Sequence, residues 1–238
     1  KIRNDLIKVA KQINWIPSFG LERELDWLEN MQDWLISKKR YWGLVLPIFE
    51  CTKCGDFEVI GSKEELKERA VYGWQQFEGH SPHRPFVDEV KIKCLKCGSL
   101  VSRITDVGNP WLDAGIVPFS TLNYFTDKKY WQKWFPHDFI CESFPGQFKN
   151  WFYSLIVMST VLENKYPSKT IFGYSTVVDE NGQEMHKSKG NAIWFDEAVE
   201  KIGADVMRWM YSRANPIYNL RFGYNVAEET RRKLLFLW

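Results

Sequence analysis

Apolar residues recur at intervals of three and four along much of the chain, which is the spacing of an amphipathic helix. The run over 151–162 is apolar on all sides and indicates a buried helix. Gly203 separates two helical patterns and predicts a C-cap there. The last pattern is basic and is still in progress at the final residue, so we expect the protein to continue beyond it. The helices predicted in this way are 2–13, 22–31, 63–70, 151–162, 195–202, 204–213 and 226–238.

Short apolar runs between these helices predict strands. They lie at 45–49, 139–141, 170–174 and 176–178, and a turn at Pro145-Gly146 follows the second of them. In the second half of the chain, strands and helices alternate with short connections. Because parallel strands need a crossover between them, this order predicts an α/β fold with a parallel sheet.

Composition excludes several classes of protein. Of 238 residues, 45% are hydrophobic and 26% are charged, which excludes a disordered or collagen-like chain. No apolar run is long enough to cross a bilayer, and the charged N-terminus lacks the apolar centre of a signal peptide, so we expect an intracellular protein. The net charge of +2 does not by itself indicate nucleic-acid binding. Aromatic residues are abundant at 16%, enough to supply both a core and ligand pockets.

Four of the five cysteines form two matched pairs. Cys51 and Cys54, and then Cys94 and Cys97, each follow the pattern C-x-x-C-G. This spacing lets both thiolates of a pair face one tetrahedral ion, and the following glycine supports the turn, so we predict a zinc site with four cysteine ligands within a module at 50–105. Two disulfides or a redox motif are the alternatives, and an intracellular location favours zinc over disulfides. We expect Cys141, in an apolar run, to be a buried structural thiol.

The segment 185–191 carries the most informative polar pattern. Lys187 and Lys189 flank Ser188 and are followed by Gly190 and Asn191, just after a predicted strand and turn. Lysines on such a loop are suited to neutralising a polyphosphate that leaves during a reaction. A solvated basic hairpin turn is the alternative interpretation.

This segment resembles a loop of a known enzyme family. Residues 183–191 are similar to the KMSKS loop of class I aminoacyl-tRNA synthetases, written Q-K-M-S-K-S-K-G-N in one branch. Glu184 stands in place of the first lysine of that loop, and His186 stands in place of its first serine.

Other segments match the same family in the same order. Residues 33–43 resemble D-W-x-I-S-R-Q-R-Y-W-G, with two lysines in place of Arg and Gln. Residues 111–115 resemble W-F-D-S-G, and residues 203–208 resemble G-A-D-[AV]-x-R. The matches cover nearly the whole chain, and residues 83–88 are similar to the isoleucyl branch. The chain therefore resembles the catalytic core of an isoleucyl-type synthetase.

The resemblance implies a domain plan. Residues 1–49 would return from an editing insertion into the catalytic core, and 50–105 would form an inserted zinc ribbon. Residues 106–205 would be the second half of a Rossmann-like parallel-sheet domain that carries the KMSKS-like loop. Residues 206–238 would begin a helical region that contacts the tRNA stem or anticodon.

The resemblance also implies an activity. It is the ATP-dependent activation of isoleucine and its ligation to tRNA(Ile), with ATP and Mg²⁺ as substrate, by a cytoplasmic protein that is a monomer and has no membrane partner. Lys187, Lys189 and Ser188 would be catalytic. Adenylate would be bound by Gly146, Gln147, Met185 and His186, and the amino-acid pocket would contain Trp111, Asp113 and Trp151. The metal ligands would be Cys51, Cys54, Cys94 and Cys97, holding Zn²⁺.

Departures from the family pattern leave alternatives open. Gly146 replaces the acidic residue that usually precedes Gln147, and core packing is the alternative role for Trp111 and Trp151. The printed sequence contains no H-x-G-H motif and no editing insertion, so we expect this segment alone to form no adenylate and to edit nothing. A valyl- or leucyl-type synthetase is one alternative. A non-catalytic zinc-ribbon module that binds RNA is another.

Overall fold

A computed structural model describes residues 2–236 of the chain, which is built from short strands and helices. Among those residues, no helix combines the length and the apolar character needed to cross a membrane. The helices are α1 (Ile2–Ala10), α2 (Phe19–Asn30), α3 (Lys63–Arg69), α4 (Trp74–Phe77), α5 (Pro110–Gly115), α6 (Val117–Ser120), α7 (Lys128–Trp134), α8 (Phe144–Gln147), α9 (Trp151–Glu163), α10 (Phe195–Ile202), α11 (Ala204–Arg213) and α12 (Tyr224–Leu235). The strands are β1 (Asn14–Ile16), β2 (Ser37–Lys38), β3 (Ile48–Glu50), β4 (Phe57–Val59), β5 (Ala70–Tyr72), β6 (Lys91–Lys93), β7 (Leu100–Ser102), β8 (Val107–Gly108), β9 (His137–Ser143), β10 (Ser168–Tyr174), β11 (Val177–Asp179) and β12 (Leu220–Phe222).

The chain divides into two compact units. Unit 1 comprises residues 1–30 and 118–238, and unit 2 comprises residues 31–117. The predicted module at 50–105 lies within unit 2.

A parallel sheet organises unit 1. Its strand order is β1-β10-β9, with Ile171 of β10 opposite Trp15 on one side and Ile140 on the other. Helix α9 connects β9 to β10, because two parallel neighbours require a crossover. The α/β class with a parallel sheet is therefore confirmed.

The core of unit 1 lies between this sheet and three helices. Helix α1 buries Leu6, Val9 and Ala10 at helical spacing, and it packs against α2 and α9. Phe152 of α9 is fully buried and meets the ring of Trp15 edge-on, with 6.0 Å between the ring centres. The predicted all-apolar helix is thus buried over most of its length, while Val161 and Leu162 in its last turn are exposed.

One carboxylate lies inside this core. Gly20, Glu24 and Leu28 form the buried stripe of α2, four residues apart, so the side chain of Glu24 is carried inward with its neighbours. Both carboxylate oxygens are buried and lack a hydrogen-bond partner. Burial raises the pKa of the Glu24 carboxyl well above its usual range.

We expect Glu24→Leu to stabilise unit 1 at pH 7 by about 1–3 kcal/mol, because an unpartnered buried polar group is replaced by an apolar one. The gain has a defined pH dependence. Below the pKa of Glu24 in the unfolded chain, the carboxyl is neutral in both the folded and the unfolded state. As pH rises from there towards the higher folded pKa, the carboxyl ionises in the unfolded state alone, so the wild-type protein loses stability and the gain from Glu24→Leu grows. Urea unfolding of wild type and variant at pH 4 and pH 7 measures this. An equal difference at both pH values would contradict it.

The C-terminal part of unit 1 has a small core of its own. Strands β11 and β12 pair in parallel, and Phe222 of β12 packs among residues of α10, α11 and α12. Met185 and Ile193, on either side of the lysine segment, pack against the same cluster. This cluster anchors the segment at both ends.

Unit 2 is held by short antiparallel strands and a buried ion pair. Strands β3 and β4 form one hairpin, and β5-β6-β7 form a second sheet. Arg103 is 6% exposed, and its guanidinium donates to Asp88 Oδ1 and to the carbonyls of Leu46 and Asp106. Arg84 donates to the other oxygen of Asp88, Oδ2, at 2.7 Å. The isoleucyl-like segment 83–88 therefore contributes a structural ion pair to this unit.

Several predicted elements differ from the structure. The strand predicted at 45–49 is confined to Ile48–Glu50, with a single bridge at Val45, and the turn at Pro145-Gly146 is the one-turn helix α8. Cys141 is exposed, so the prediction of a buried thiol was wrong. Strand β9 lies at the end of the described sheet, and along it Ile140 is buried while its neighbours are not. The predicted helix 226–238 is observed to Leu235, and residues 237–238 lie outside the described part of the chain.

Candidate functional site

The four paired cysteines converge on one point in unit 2. Their sulfur atoms all lie within 4.8 Å of one another. Cys51 Sγ is 3.5 Å from Cys97 Sγ, and Cys54 Sγ is 3.7 Å from Cys94 Sγ. In a tetrahedral zinc site with Zn–S bonds of about 2.3 Å the sulfurs are about 3.8 Å apart. The cluster therefore has the dimensions that one zinc ion requires.

The two halves of the cluster are built alike. Gly55 N donates to Cys51 O at 2.8 Å, and Gly98 N donates to Cys94 O at 2.9 Å. Both glycines have φ near +70°, which L side chains rarely adopt. The two turns are thus the same knuckle used twice.

Contacts outside the sulfurs hold the second knuckle in place. Leu95 N donates to Glu58 Oε1 at 3.1 Å, and the same carboxylate accepts from Arg69 at 2.6 Å. Hydrogen bonds from the Ser99 hydroxyl and backbone lower the pKa of the Cys97 thiol to about 6. Against a hydrogen bond from the Asp56 backbone, burial and the three neighbouring thiols raise the pKa of Cys54. In the cluster without a metal, Cys97 is therefore the thiol that ionises more readily of the two, and the thiolate is the form that binds a metal.

The lysine segment of unit 1 is an exposed turn at the end of a strand. Strand β11 ends at Asp179, and Lys187–Lys189 form a single 3-10 turn that Gly190 ends at φ +69°. Lys187, Ser188 and Lys189 are all exposed. The ammonium of Lys187 lies over the ring of Trp194, 4.4 Å from its centre.

An asparagine closes this turn. Asn191 Oδ1 accepts from His186 N at 2.9 Å, and Asn191 Nδ2 donates to Asp179 Oδ2 at 2.9 Å. The His186 ring lies 3.1 Å from Glu184 Oε2, so the two residues that depart from the family loop contact each other. No role was predicted for Asp179 or Asn191 from the sequence, although Asn191 is the last residue of the motif and Asp179 lies four residues before the motif begins.

The candidate pocket residue Trp111 is placed by a capping asparagine in unit 2. Asn109 is buried and caps α5 by accepting from Trp111 N at 3.0 Å. Its amide nitrogen donates to Leu35 O, and its backbone N–H donates to Ile36 O. Asn109 therefore joins the segment around Trp111 to the segment 33–43. Asp113 is exposed on α5.

The other candidate binding residues lie at the start of α9 in unit 1. Gln147 Oε1 accepts from Trp151 N at 3.2 Å, so this side chain caps the helix. Trp151 is half-buried in the first turn of α9. A Cβ on Gly146 would meet Asn150 at 3.6 Å, an ordinary contact, so the backbone here does not require glycine for lack of space at Cβ.

The structure thus brings together the four cysteines in unit 2, and Met185, His186, Lys187, Ser188 and Lys189 on one turn of unit 1. Gln147 and Trp151 are joined by a hydrogen bond, and Trp111 and Asp113 share one helix. The binding and catalytic roles given to these residues remain predictions.

Comparison with known proteins identifies the family. A profile described as tRNA synthetases class I (I, L, M and V) matches residues 1–222. The chain belongs to this family of class I tRNA synthetases.

Relatives of the chain include isoleucine–tRNA ligases. The ligase of Thermus thermophilus is 39% identical to the chain and that of Methanothermobacter marburgensis is 36% identical, covering 99% and 100% of the chain respectively. The chain spans 23% of the length of each of these two relatives. The crystal structure of a ternary complex of LeuRS, tRNA and LeuAMS from Agrobacterium radiobacter K84 has the same fold. Its TM-score is 0.64 at 22% identity, over 86% of this chain and 27% of that one.

Proposed function

We propose that the protein containing this chain activates isoleucine with ATP and Mg²⁺ and transfers it to tRNA(Ile). The relatives named isoleucine–tRNA ligase support the choice of amino acid, and membership of the class I family supports the reaction type. Within this chain, the proposal rests on the exposed Lys187–Lys189 turn, which follows the end of β11. It presents two cations beside a strand end, where α/β folds bind their ligands.

The chemistry proposed for this turn is charge neutralisation. A carboxylate oxygen of the amino acid attacks the α-phosphorus of ATP, the bond from that phosphorus to the bridging oxygen breaks, and pyrophosphate leaves with the bonding electrons. Lys187 and Lys189 bind the oxygens on which negative charge accumulates. An exposed cation–π contact is worth about 0.5–1 kcal/mol, so the ammonium of Lys187 can leave the Trp194 ring for a phosphate at little cost.

The remaining candidate residues are proposed to bind substrate. Gln147, Gly146, Met185 and His186 are assigned to adenylate. Trp111, Trp151 and Asp113 keep the roles in isoleucine binding that the family resemblance implies. An aromatic face suits a branched aliphatic side chain because both are apolar.

Zinc is proposed as a structural ion of unit 2. Cys51, Cys54, Cys94 and Cys97 would hold it, and with four protein ligands it has no open position for substrate. A zinc ion here would lock together two knuckles that stand at the ends of β3 and β6, and so stabilise the small strands between them. The protein is further proposed to act in the cytoplasm as a monomer.

Exchange of labelled pyrophosphate into ATP tests the proposed function. The full-length protein should show exchange that depends on isoleucine, because activation is reversible before transfer to tRNA. Binding of tRNA without exchange would instead identify a non-catalytic RNA-binding module. Exchange with valine or leucine as the best substrate would identify a synthetase of another type.

A further inference from the structure

A single side chain joins three parts of the segment 179–191, here called the lysine hairpin. The amide nitrogen of Asn191 donates to the carboxylate of Asp179 at 2.9 Å and to the carbonyl of Glu184 at 3.1 Å. Its amide oxygen accepts from the backbone N–H of His186 at 2.9 Å. Both ends of the turn that carries the lysines are therefore bound to one amide group.

Asp179 connects this amide to the strand below. It is the last residue of β11, and its second oxygen, Oδ1, accepts from the backbone N–H groups of Asn181 and Gln183 at 3.0 and 2.8 Å. The Asn191 amide and then the Gln183 N–H hold the pKa of the Asp179 carboxyl below its usual range, so the carboxylate stays ionised as an acceptor. The hairpin is thus attached to the strand through one charge-assisted hydrogen bond.

The lysines themselves have no comparable support. Lys187 and Lys189 are exposed, and the contact of Lys187 with Trp194 joins only the tip of its side chain to a ring that is 57% exposed. Their backbone direction is set by the path from His186 to Asn191. That path is closed by the Asn191 amide and turned by Gly190 in the left-handed region.

We propose that Asn191 and Asp179 are positioning residues, which fix the direction in which Lys187 and Lys189 leave the hairpin. This inference rests on the proposed function of the lysines in activation. Misplacing a reacting group by about 1 Å can cost about 10²-fold in rate, whereas hydrogen bonds within one half-buried surface turn add little to global stability because water can replace them. The role is therefore visible in turnover and not in folding.

A double-mutant cycle in the full-length protein tests whether Asn191 acts through Lys187. Asn191→Ala should lower kcat of isoleucine-dependent pyrophosphate exchange by about 10–100-fold, with the KM for isoleucine unchanged within about twofold. The double variant with Lys187→Ala should lose no more than Lys187→Ala alone. Asn14→Ala is the matched control, because it removes an asparagine hydrogen bond elsewhere in unit 1, to Thr170 at 3.3 Å. This control should exchange at the wild-type rate.

Exchanging the two side chains gives a second test. Asn191→Asp keeps the acceptor for His186 but places a carboxylate against Asp179, and Asp179→Asn places two amide donors together. Each single variant should therefore lose kcat. The double variant Asp179→Asn/Asn191→Asp restores one donor facing one acceptor and should recover at least about tenfold over the Asn191→Asp variant.

The outcomes separate this inference from the proposed function. If Lys187→Ala leaves exchange unchanged, the proposed role of the lysine is wrong. If Lys187→Ala is slow but Asn191→Ala is as fast as the Asn14→Ala control, the lysine role stands and the positioning role is overturned. Losses that multiply in the double variant, or that follow a fall in melting temperature, would show that Asn191 is only structural.

Discussion

Lys187→Ala in the full-length protein should slow isoleucine-dependent pyrophosphate exchange by about 10²–10³-fold. Removing one preorganised group that acts on charge developing in the transition state has an effect of about this size. The affinity for isoleucine should barely change, because the ammonium is proposed to contact pyrophosphate and not the amino acid. Steady-state exchange at varied isoleucine separates the two effects, since the loss should appear in kcat and not in KM.

The control for this experiment is another exposed lysine of unit 1. Lys129 lies on α7, and Lys129→Ala should exchange at the wild-type rate. A loss in Lys187→Ala that appeared only as weaker isoleucine binding would contradict the pyrophosphate role. Lys189→Ala should be slowed less, because that lysine is assigned a supporting contact.

Cys51→Ser should remove the metal from the protein and unfold unit 2. Zinc bound by four cysteines contributes about 10–16 kcal/mol of apparent binding free energy in small domains, more than the short strands of unit 2 supply by themselves. Cys51 and Cys94 are also buried in the core of this unit, so a vacant cluster would leave their thiols there without the bonds that the metal supplies. Metal analysis should fall from about one zinc equivalent to well below half.

The fifth cysteine provides the matched control. Cys141 is exposed on β9, outside the cluster, so Cys141→Ser should keep both zinc and melting temperature. A Cys51→Ser variant that retained its metal and melted like wild type would contradict the zinc site. Addition of a strong chelator to wild-type protein should reproduce the unfolding of the variant.

Local sequence signals predicted the parts of this molecule that depend on neighbouring residues. The cysteine spacing and the glycines that follow predicted a cluster, and the four sulfurs do converge. The apolar run over 151–162 predicted helix α9, which is buried except in its last turn, because a helix surrounded by core needs no polar stripe. Gly190, together with the position of the segment after a predicted strand, predicted the turn that presents the two lysines.

Features that depend on packing between distant segments were not predictable in the same way. Cys141 has apolar neighbours, but its exposure follows from the position of β9 in the strand order. Glu24 interrupts an otherwise apolar stripe, and nothing in the local pattern shows that the helix face it shares with Gly20 and Leu28 is buried. The hydrogen bond between Asp179 and Asn191 joins residues 12 positions apart, and it depends on how the hairpin folds back.

Amino-acid specificity of the full-length protein is the most direct test of the proposed function. Pyrophosphate exchange measured with isoleucine, valine, leucine and methionine should give the highest kcat/KM for isoleucine and a detectable rate for valine. A single methylene in an apolar pocket is worth about 1–3 kcal/mol, or about 10–200-fold, a limit for which isoleucyl synthetases are themselves the known example. The full-length protein should therefore prefer isoleucine to valine by a factor within that range. A best substrate other than isoleucine, or no exchange with any of the four, would contradict it.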